Sequence, residues 1–164
     1  MVRTGHSFMK RELSERPAIM FAGEMSGHLF FNDRWNGHDC SLYNSARLIE
    51  LVARRVGSTH GFENFSDLIS IVPSFPATGE NKIPYSGDRV ETMMLVEKAF
   101  SDMECLKIDG VRAVYPDGWF LCRPSNTEPV LIMRAEAQTG SSLARLLSDV
   151  HSRLAGIVDV SELS

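Results

Sequence analysis

A chain of 164 residues that is 43% hydrophobic and 23% charged can bury one ordinary domain, or a small domain plus part of another, and is no disordered tail. Its net charge of −4 argues against the broad basic surface of a nucleic-acid-binding protein, although single arginines can still hold one small anion. Apolar runs such as Ala18–Ala22 are too short to span a bilayer, and Met1–His6 lacks the apolar core of a signal peptide, so no membrane association is expected.

Three cysteines, Cys40, Cys105 and Cys122, leave one unpaired in any disulfide scheme, and none forms a C-x-x-C pair. That usage suits a reduced, cytoplasmic protein. Ala18–Ala22 reads as a buried strand and His28–Phe31 as a second, with Gly23–Gly27 turning between them. Leu42, Ala46, Ile49, Ala53 and Val56 recur at helical spacing, and Gly57 is a natural stop. From Ser58 to Tyr85, five glycines and prolines break the pattern, which reads as a connection and an irregular entry into the second half.

Asp88 is placed to cap a helix whose stripe is Val90, Met93, Met94, Ala99 and Phe100, interrupted by Glu97. Val111–Tyr115, Trp119–Arg123 and Val130–Ala135 read as strands, with turns at Asp109-Gly110 and Asp117-Gly118. Thr139 caps a closing helix with Leu143, Leu146, Leu147, Val150 and Leu154 on one face. The expected fold is α/β plus α+β. A partial α/β domain over residues 1–57 precedes a small α+β domain over residues 58–164, with an antiparallel sheet and two helices.

Two loops carry chemistry. Arg123-Pro124-Ser125-Asn126-Thr127-Glu128-Pro129 joins two strands and offers a fork-shaped cation, two hydroxyls and an amide for a tetrahedral anion, with proline stiffening both ends. Spacing alone fits a polar turn beside an arginine at least as well. Gly23-Glu24-Met25-Ser26-Gly27-His28 offers a carboxylate that can accept two sugar hydroxyls, a serine, and glycines that admit close approach. An ordinary hairpin turn with Glu24 exposed is the plainer reading. Thr4-Gly5-His6-Ser7 with Lys10 is either a third polar cluster or a solvated, frayed terminus. His38-Asp39-Cys40 holds metal-ligand types, but adjacent residues chelate one ion poorly, so no metal site is expected.

These segments occur in an order that resembles the α-D-phosphohexomutase superfamily. The series is Thr4-Gly5-His6-Ser7, Gly23–His28, Asn32-Asp33-Arg34-Trp35, Leu42–Leu48, Asp109–Arg112, Gly118-Trp119 and Arg123–Pro129. Met25 together with Asn126 is similar to the phosphomannomutase/phosphoglucomutase group rather than to phosphoglucosamine mutases. Cys40-Ser41 departs from the Asp-Gly often found at that turn.

The resemblance implies a four-domain parent enzyme, of which this chain matches the end of the third domain and all of the fourth. It implies sugar binding by Glu24, Ser26, His28 and His6, and binding of the untransferred phosphate by Arg123, Ser125, Asn126 and Thr127, with Lys10 a looser match. The parent activity would be an intramolecular phosphotransfer interconverting hexose 1- and 6-phosphates, with Mg²⁺ and a hexose 1,6-bisphosphate activator. The family's Ser-His-Asn-Pro nucleophile loop and Asp-Gly-Asp-x-Asp-Arg metal loop are absent from the sequence, and Ser86-Gly87-Asp88-Arg89 has only one carboxylate. No catalytic residue, no metal ligand and no activity are therefore expected of this chain alone. Its expected partners are a hexose phosphate and an amino-terminal remainder that would cover apolar strand surface of the first half. The alternative is a stand-alone phosphosugar-binding sensor or pseudoenzyme.

Overall fold

Asn64, Asp88 and Thr139 each turn a side-chain oxygen onto the first amides of a helix, satisfying donors that the helix itself leaves open. In the computed structural model these helices belong to two units, Met1–Pro73 and Ser74–Ser164, a division past the residue-57 boundary read from the sequence. The structure describes residues 1–57, 62–125 and 127–163, so the expected anion contact at Asn126 lies outside the described residues.

The first unit contains α1 (His6–Glu15), β1 (Phe21–Gly23), β2 (Leu29–Phe31), α2 (Ser41–Arg55) and α3 (Phe65–Ser70). The two strands form an antiparallel hairpin with Phe21 opposite Phe31 and Gly23 opposite Leu29. Gly27 closes its turn at φ 87°, a conformation that side chains with a Cβ rarely adopt. Phe30 is fully buried and Leu13 nearly so, and Asn32 Nδ2 donates to the carbonyls of Leu13 and Ile19, tying α1 to the hairpin.

Helix α2 turns its polar face inward. Arg47 sits 4.3 Å over the Phe31 ring and donates to Asp33 at 2.6 Å and to the Tyr43 hydroxyl at 3.1 Å. Tyr43 stacks on Trp35 with ring centroids 4.5 Å apart. Glu50 receives Arg34 through both of its oxygens and Arg54 at 2.7 Å. The hydrogen bond from Arg47 holds the Asp33 carboxyl at about 2, against an ordinary 3.8. Leu42 and Ile49 of the expected apolar stripe are consequently 82% and 68% exposed.

The segment expected to be a buried strand at Ala18–Ala22 pairs only from Phe21, and Met20 and Phe21 are 53% and 51% exposed. An apolar run buries both faces only when neighbours cover both, and the described residues give this hairpin no third strand.

The second unit contains β3 (Asn81–Pro84), α4 (Arg89–Ala99), β4 (Cys105–Leu106), β5 (Val111–Tyr115), β6 (Gly118–Pro124), β7 (Val130–Ala137) and α5 (Gly140–Leu154). Its strands form one antiparallel sheet in the order β3-β7-β6-β5-β4. Val111 and Ala113, Phe120 and Cys122, and Leu131, Met133 and Ala135 point to a common core, closed by Val96 of α4, by Phe100 just after that helix, and by Leu146, Val150 and Leu154 from α5. Phe100 and Phe120 stack at 5.4 Å. Burial pushes the Cys122 thiol up to about 12, keeping it protonated and unreactive. All three cysteines are free.

Arg153 clamps the two helices together by donating to Asp102 at 2.6 Å, to Asp149 at 2.7 Å and to the Ala99 carbonyl at 2.8 Å. The α+β domain with an antiparallel sheet and two helices stands as expected. The stripe assigned to α4 stands in part: Phe100 is buried and Met93 and Ala99 pack against the core, whereas Val90 and Met94 are exposed and Thr92 and Val96 are buried instead. No helix of the described residues is long and apolar enough to cross a membrane.

Candidate functional site: a carboxylate-centred loop and an arginine loop

The β1–β2 turn is closed by its own backbone, with the Glu24 amide donating to the His28 carbonyl at 2.9 Å and the Gly27 amide to the Glu24 carbonyl at 3.0 Å. This folds Glu24 inward, and only 6% of its side chain is exposed. Its Oε1 accepts the Gly5 amide at 2.9 Å. Its Oε2 accepts the Ser26 hydroxyl at 3.3 Å and lies 3.2 Å from His28 Nδ1. Ser26 Oγ is itself 2.7 Å from His28 Nδ1. The exposed-turn reading of Glu24 therefore does not hold: the carboxylate is fixed between two loops, with hydroxyl and imidazole groups beside it.

His6, the first residue of α1, joins this group. Its ring meets His28 edge-on at 4.4 Å and rests against the buried Phe30 at 5.3 Å. Glu24, Ser26, His28 and His6 thus stand together in one cluster. Lys10 is exposed on α1, one helical turn beyond His6, and the frayed-terminus reading gives way to an ordered helix.

Sequence reasoning missed two members of this neighbourhood. The Gly5 amide is a backbone group with no compositional signal. Asp39 approaches His6 Nε2 at 3.9 Å because the chain after β2 folds back, with Phe30 and Asp39 bridged through their backbones. No local spacing encodes such a return.

The arginine loop is the β6–β7 connection. Arg123 lies at the end of β6 opposite Ile132, half-buried, and no described residue holds its guanidinium in a hydrogen bond or ion pair. The Ser125 amide closes the loop onto the Val130 carbonyl at 2.9 Å. The Ser125 hydroxyl oxygen accepts the amides of Thr127 and Glu128 at 3.3 and 3.2 Å. Those two amides are thus engaged within the loop by long, weak bonds that a charged acceptor would outcompete. Thr127 itself is exposed.

Lys82, unmarked in the sequence, reaches this loop because β3 pairs with β7, and its ammonium meets Glu128 at 2.7 Å. Underneath, Gly110 (φ 77°) passes so close to Cys122 and Arg123 that a Cβ there would lie 2.2 Å from the Cys122 carbonyl oxygen. The Asp109-Gly110 turn thereby supports the strand end that carries Arg123.

Mg²⁺ prefers an octahedron of oxygens. Among the described residues, the one cluster of three potential ligand groups is His6, His28 and Asp39, whose two nitrogens and one carboxylate do not fit that preference.

A strand-end carboxylate loop and an arginine–hydroxyl hairpin, on consecutive α/β and α+β units, define a class. The chain belongs to the phosphoglucomutase/phosphomannomutase family. Residues 1–73 match the family's alpha/beta/alpha domain III, and residues 84–152 match its C-terminal domain. Among particular relatives, the chain is 39% identical over 157 residues to a phosphomannomutase/phosphoglucomutase of Pseudomonas syringae pv. tomato, covering 94% of this chain and 32% of that protein. It is 37% identical to a phosphoglucomutase of Neisseria meningitidis, covering 89% of this chain and 31% of the relative. A crystal structure of a phosphoglucomutase/phosphomannomutase family protein from Burkholderia thailandensis superposes with a TM-score of 0.81 at 38% identity, covering 96% of this chain and 32% of that one. The chain spans about a third of the length of these relatives.

Proposed function

We propose that this chain works as the carboxy-terminal part of a phosphomannomutase/phosphoglucomutase, supplying the end of the third domain and the whole of the fourth. In this reading the Glu24 carboxylate accepts two sugar hydroxyls, while Ser26, His28 and His6 complete the sugar contacts. Arg123, Ser125, Asn126 and Thr127 hold the phosphate that is not being transferred, and Lys10 adds a cation. Two binding loops, one for hydroxyls and one for phosphate, suit a substrate that must be held in either orientation between two transfers. An amino-terminal remainder supplies the phosphoryl-carrying serine and the Mg²⁺ site, a hexose 1,6-bisphosphate activates the parent enzyme, and the assembled enzyme would work in the cytoplasm. These residues position the substrate; they do not react with it.

The observation that supports this best is Glu24, whose carboxylate is nearly buried, anchored at one oxygen by the Gly5 amide, and flanked at the other by a hydroxyl and an imidazole. Such an acceptor is organised before a ligand arrives. The test is a coupled mutase assay with glucose 1-phosphate, glucose 1,6-bisphosphate and Mg²⁺. The chain alone should give the blank rate, and co-expression with the amino-terminal two-thirds of a relative should restore turnover, lost again in Glu24→Ala. Turnover by the chain alone would overturn the division of labour.

The self-contained core of Ser74–Ser164 supports a second reading, a stand-alone phosphosugar-binding module. It requires calorimetric binding of glucose 6-phosphate near ~1 mM, weakened by Arg123→Ala. No heat at several times that concentration would end it.

A further inference from the structure

His6, His28 and Asp39 each present a ligand atom at the Glu24 loop, and the three atoms lie within 4.8 Å of one another. We propose that these side chains form a binding site for a borderline divalent cation of the Zn²⁺ kind, and that the bound ion competes with sugar hydroxyls for the loop. Cation binding stands on the cluster alone; only the competition rests on the sugar-site reading.

The donor set selects the ion. Two imidazole nitrogens and one carboxylate oxygen match zinc's habitual ligands, with a fourth position left to water, whereas Mg²⁺ and Ca²⁺ favour oxygen alone. Spacing agrees. Ligands at zinc's bond lengths stand roughly 3.4 Å apart around a tetrahedron, and His6 Nε2 is already 3.9 Å from Asp39 Oδ2. Small side-chain rotations close the rest, and His6 and His28 have 44% and 42% of their side chains exposed, which leaves room for them.

A second observation points the same way, because two of the three ligands, His28 and Asp39, are held from behind. His28 Nδ1 faces Ser26 Oγ at 2.7 Å and Glu24 Oε2 at 3.2 Å. A proton on Nδ1 leaves the Nε2 lone pair for an ion. The Glu24 carboxylate behind it is anchored by the Gly5 amide. Asp39 is oriented in the same manner: its Oδ1 accepts Asn44 Nδ2 at 3.1 Å, which leaves Oδ2 turned to His6. Asn44 is fixed in turn by the Leu29 carbonyl at 3.0 Å. Carboxylate–histidine–metal relays and hydrogen-bonded carboxylate ligands are the usual supports of zinc sites. The floor is apolar, since the buried Phe30 lies against the His6 ring and is bridged to Asp39 through the backbone.

The test titrates Zn²⁺ into the chelator-stripped 164-residue chain by calorimetry, with Co²⁺ as a visible-absorption reporter. One ion per chain is expected. Affinity should fall more than tenfold in His6→Ala and in Asp39→Asn, fall about tenfold in Asn44→Ala through loss of the positioning bond, and be unchanged in His38→Ala and Cys40→Ser. Circular dichroism checks each variant's fold. Independently of any variant, the Co²⁺ spectrum should show tetrahedral d–d bands without a thiolate charge-transfer band. No binding, binding indifferent to His6 and Asp39, or loss in Cys40→Ser would each overturn the site. Glucose 6-phosphate titrated into metal-free and Zn²⁺-loaded chain separates the two proposals. No binding to the metal-free chain removes the competition and the stand-alone module and leaves the ion site standing, whereas equal binding to both forms refutes the competition.

Discussion

Ser74–Ser164 closes its sheet beneath two helices, with Phe100 and Phe120 stacked inside, whereas Met1–Pro73 buries little more than Leu13, Phe30 and Leu68 and turns an apolar helix stripe outward. The same residue types appear in both units, so composition does not separate them. In the second unit every strand meets its neighbour within the unit, and alternation along β5 and β6 converts directly into burial, while β7 buries Leu131, Ile132 and Met133 in succession. In the first unit a short hairpin leans on α1 through Asn32 and on α2 through Arg47, Asp33 and Tyr43, polar contacts that anchor without excluding much water. The lesson is that an amphipathic pattern states that a helix has an apolar side, not that the chain itself covers it.

This contrast yields measurable differences. Phe120→Ala should cost about 3–5 kcal/mol of the second unit's stability in a denaturant titration, because it empties a closed core; a loss under 1 kcal/mol would show that core to be loose. Leu42→Lys and Ile49→Lys should each change stability by no more than about 0.5 kcal/mol, while lowering self-association in sedimentation experiments, since both side chains already face outward. A large destabilisation by either would place that stripe inside. A smaller and more local effect belongs to Asp33. Its carboxyl titrates at about 2 rather than 3.8, so its pairing with Arg47 adds stability above about pH 4 that is lost as the pH falls towards 2. Carbon-13 titration of that carboxyl should give the depressed midpoint, and Arg47→Ala should return it to the ordinary range.

Legibility followed the same division. Thr139, Asp88 and the strands around Asp117-Gly118 were readable because each depends on neighbours a few residues away. Helix α1 was missed, since a short polar stretch shows its one buried side chain, Leu13, only after folding. Helix α3 had a signal in Asn64 and Asp67, whose side chains cap reciprocally, but glycines and prolines around it masked the pattern. β3 escaped because it ends in Pro84, which a sheet tolerates at its edge, the place this strand occupies.

At the candidate site, Glu24, Ser26 and His28 were legible as one motif. The return of Asp39 to His6 was not, because it depends on a long-range turn of chain. The arginine loop was legible in its residues, while the engagement of its amides by Ser125 was not.

Gly110 has a consequence that reaches beyond its own hairpin. With no room for even one carbon between it and the Cys122–Arg123 backbone, the turn acts as a shim that sets the height at which the arginine leaves the sheet. A methyl group at that position would lift the strand end and displace the guanidinium without touching it. Tolerance to change around the arginine is therefore governed from a neighbouring turn as well as from its own loop.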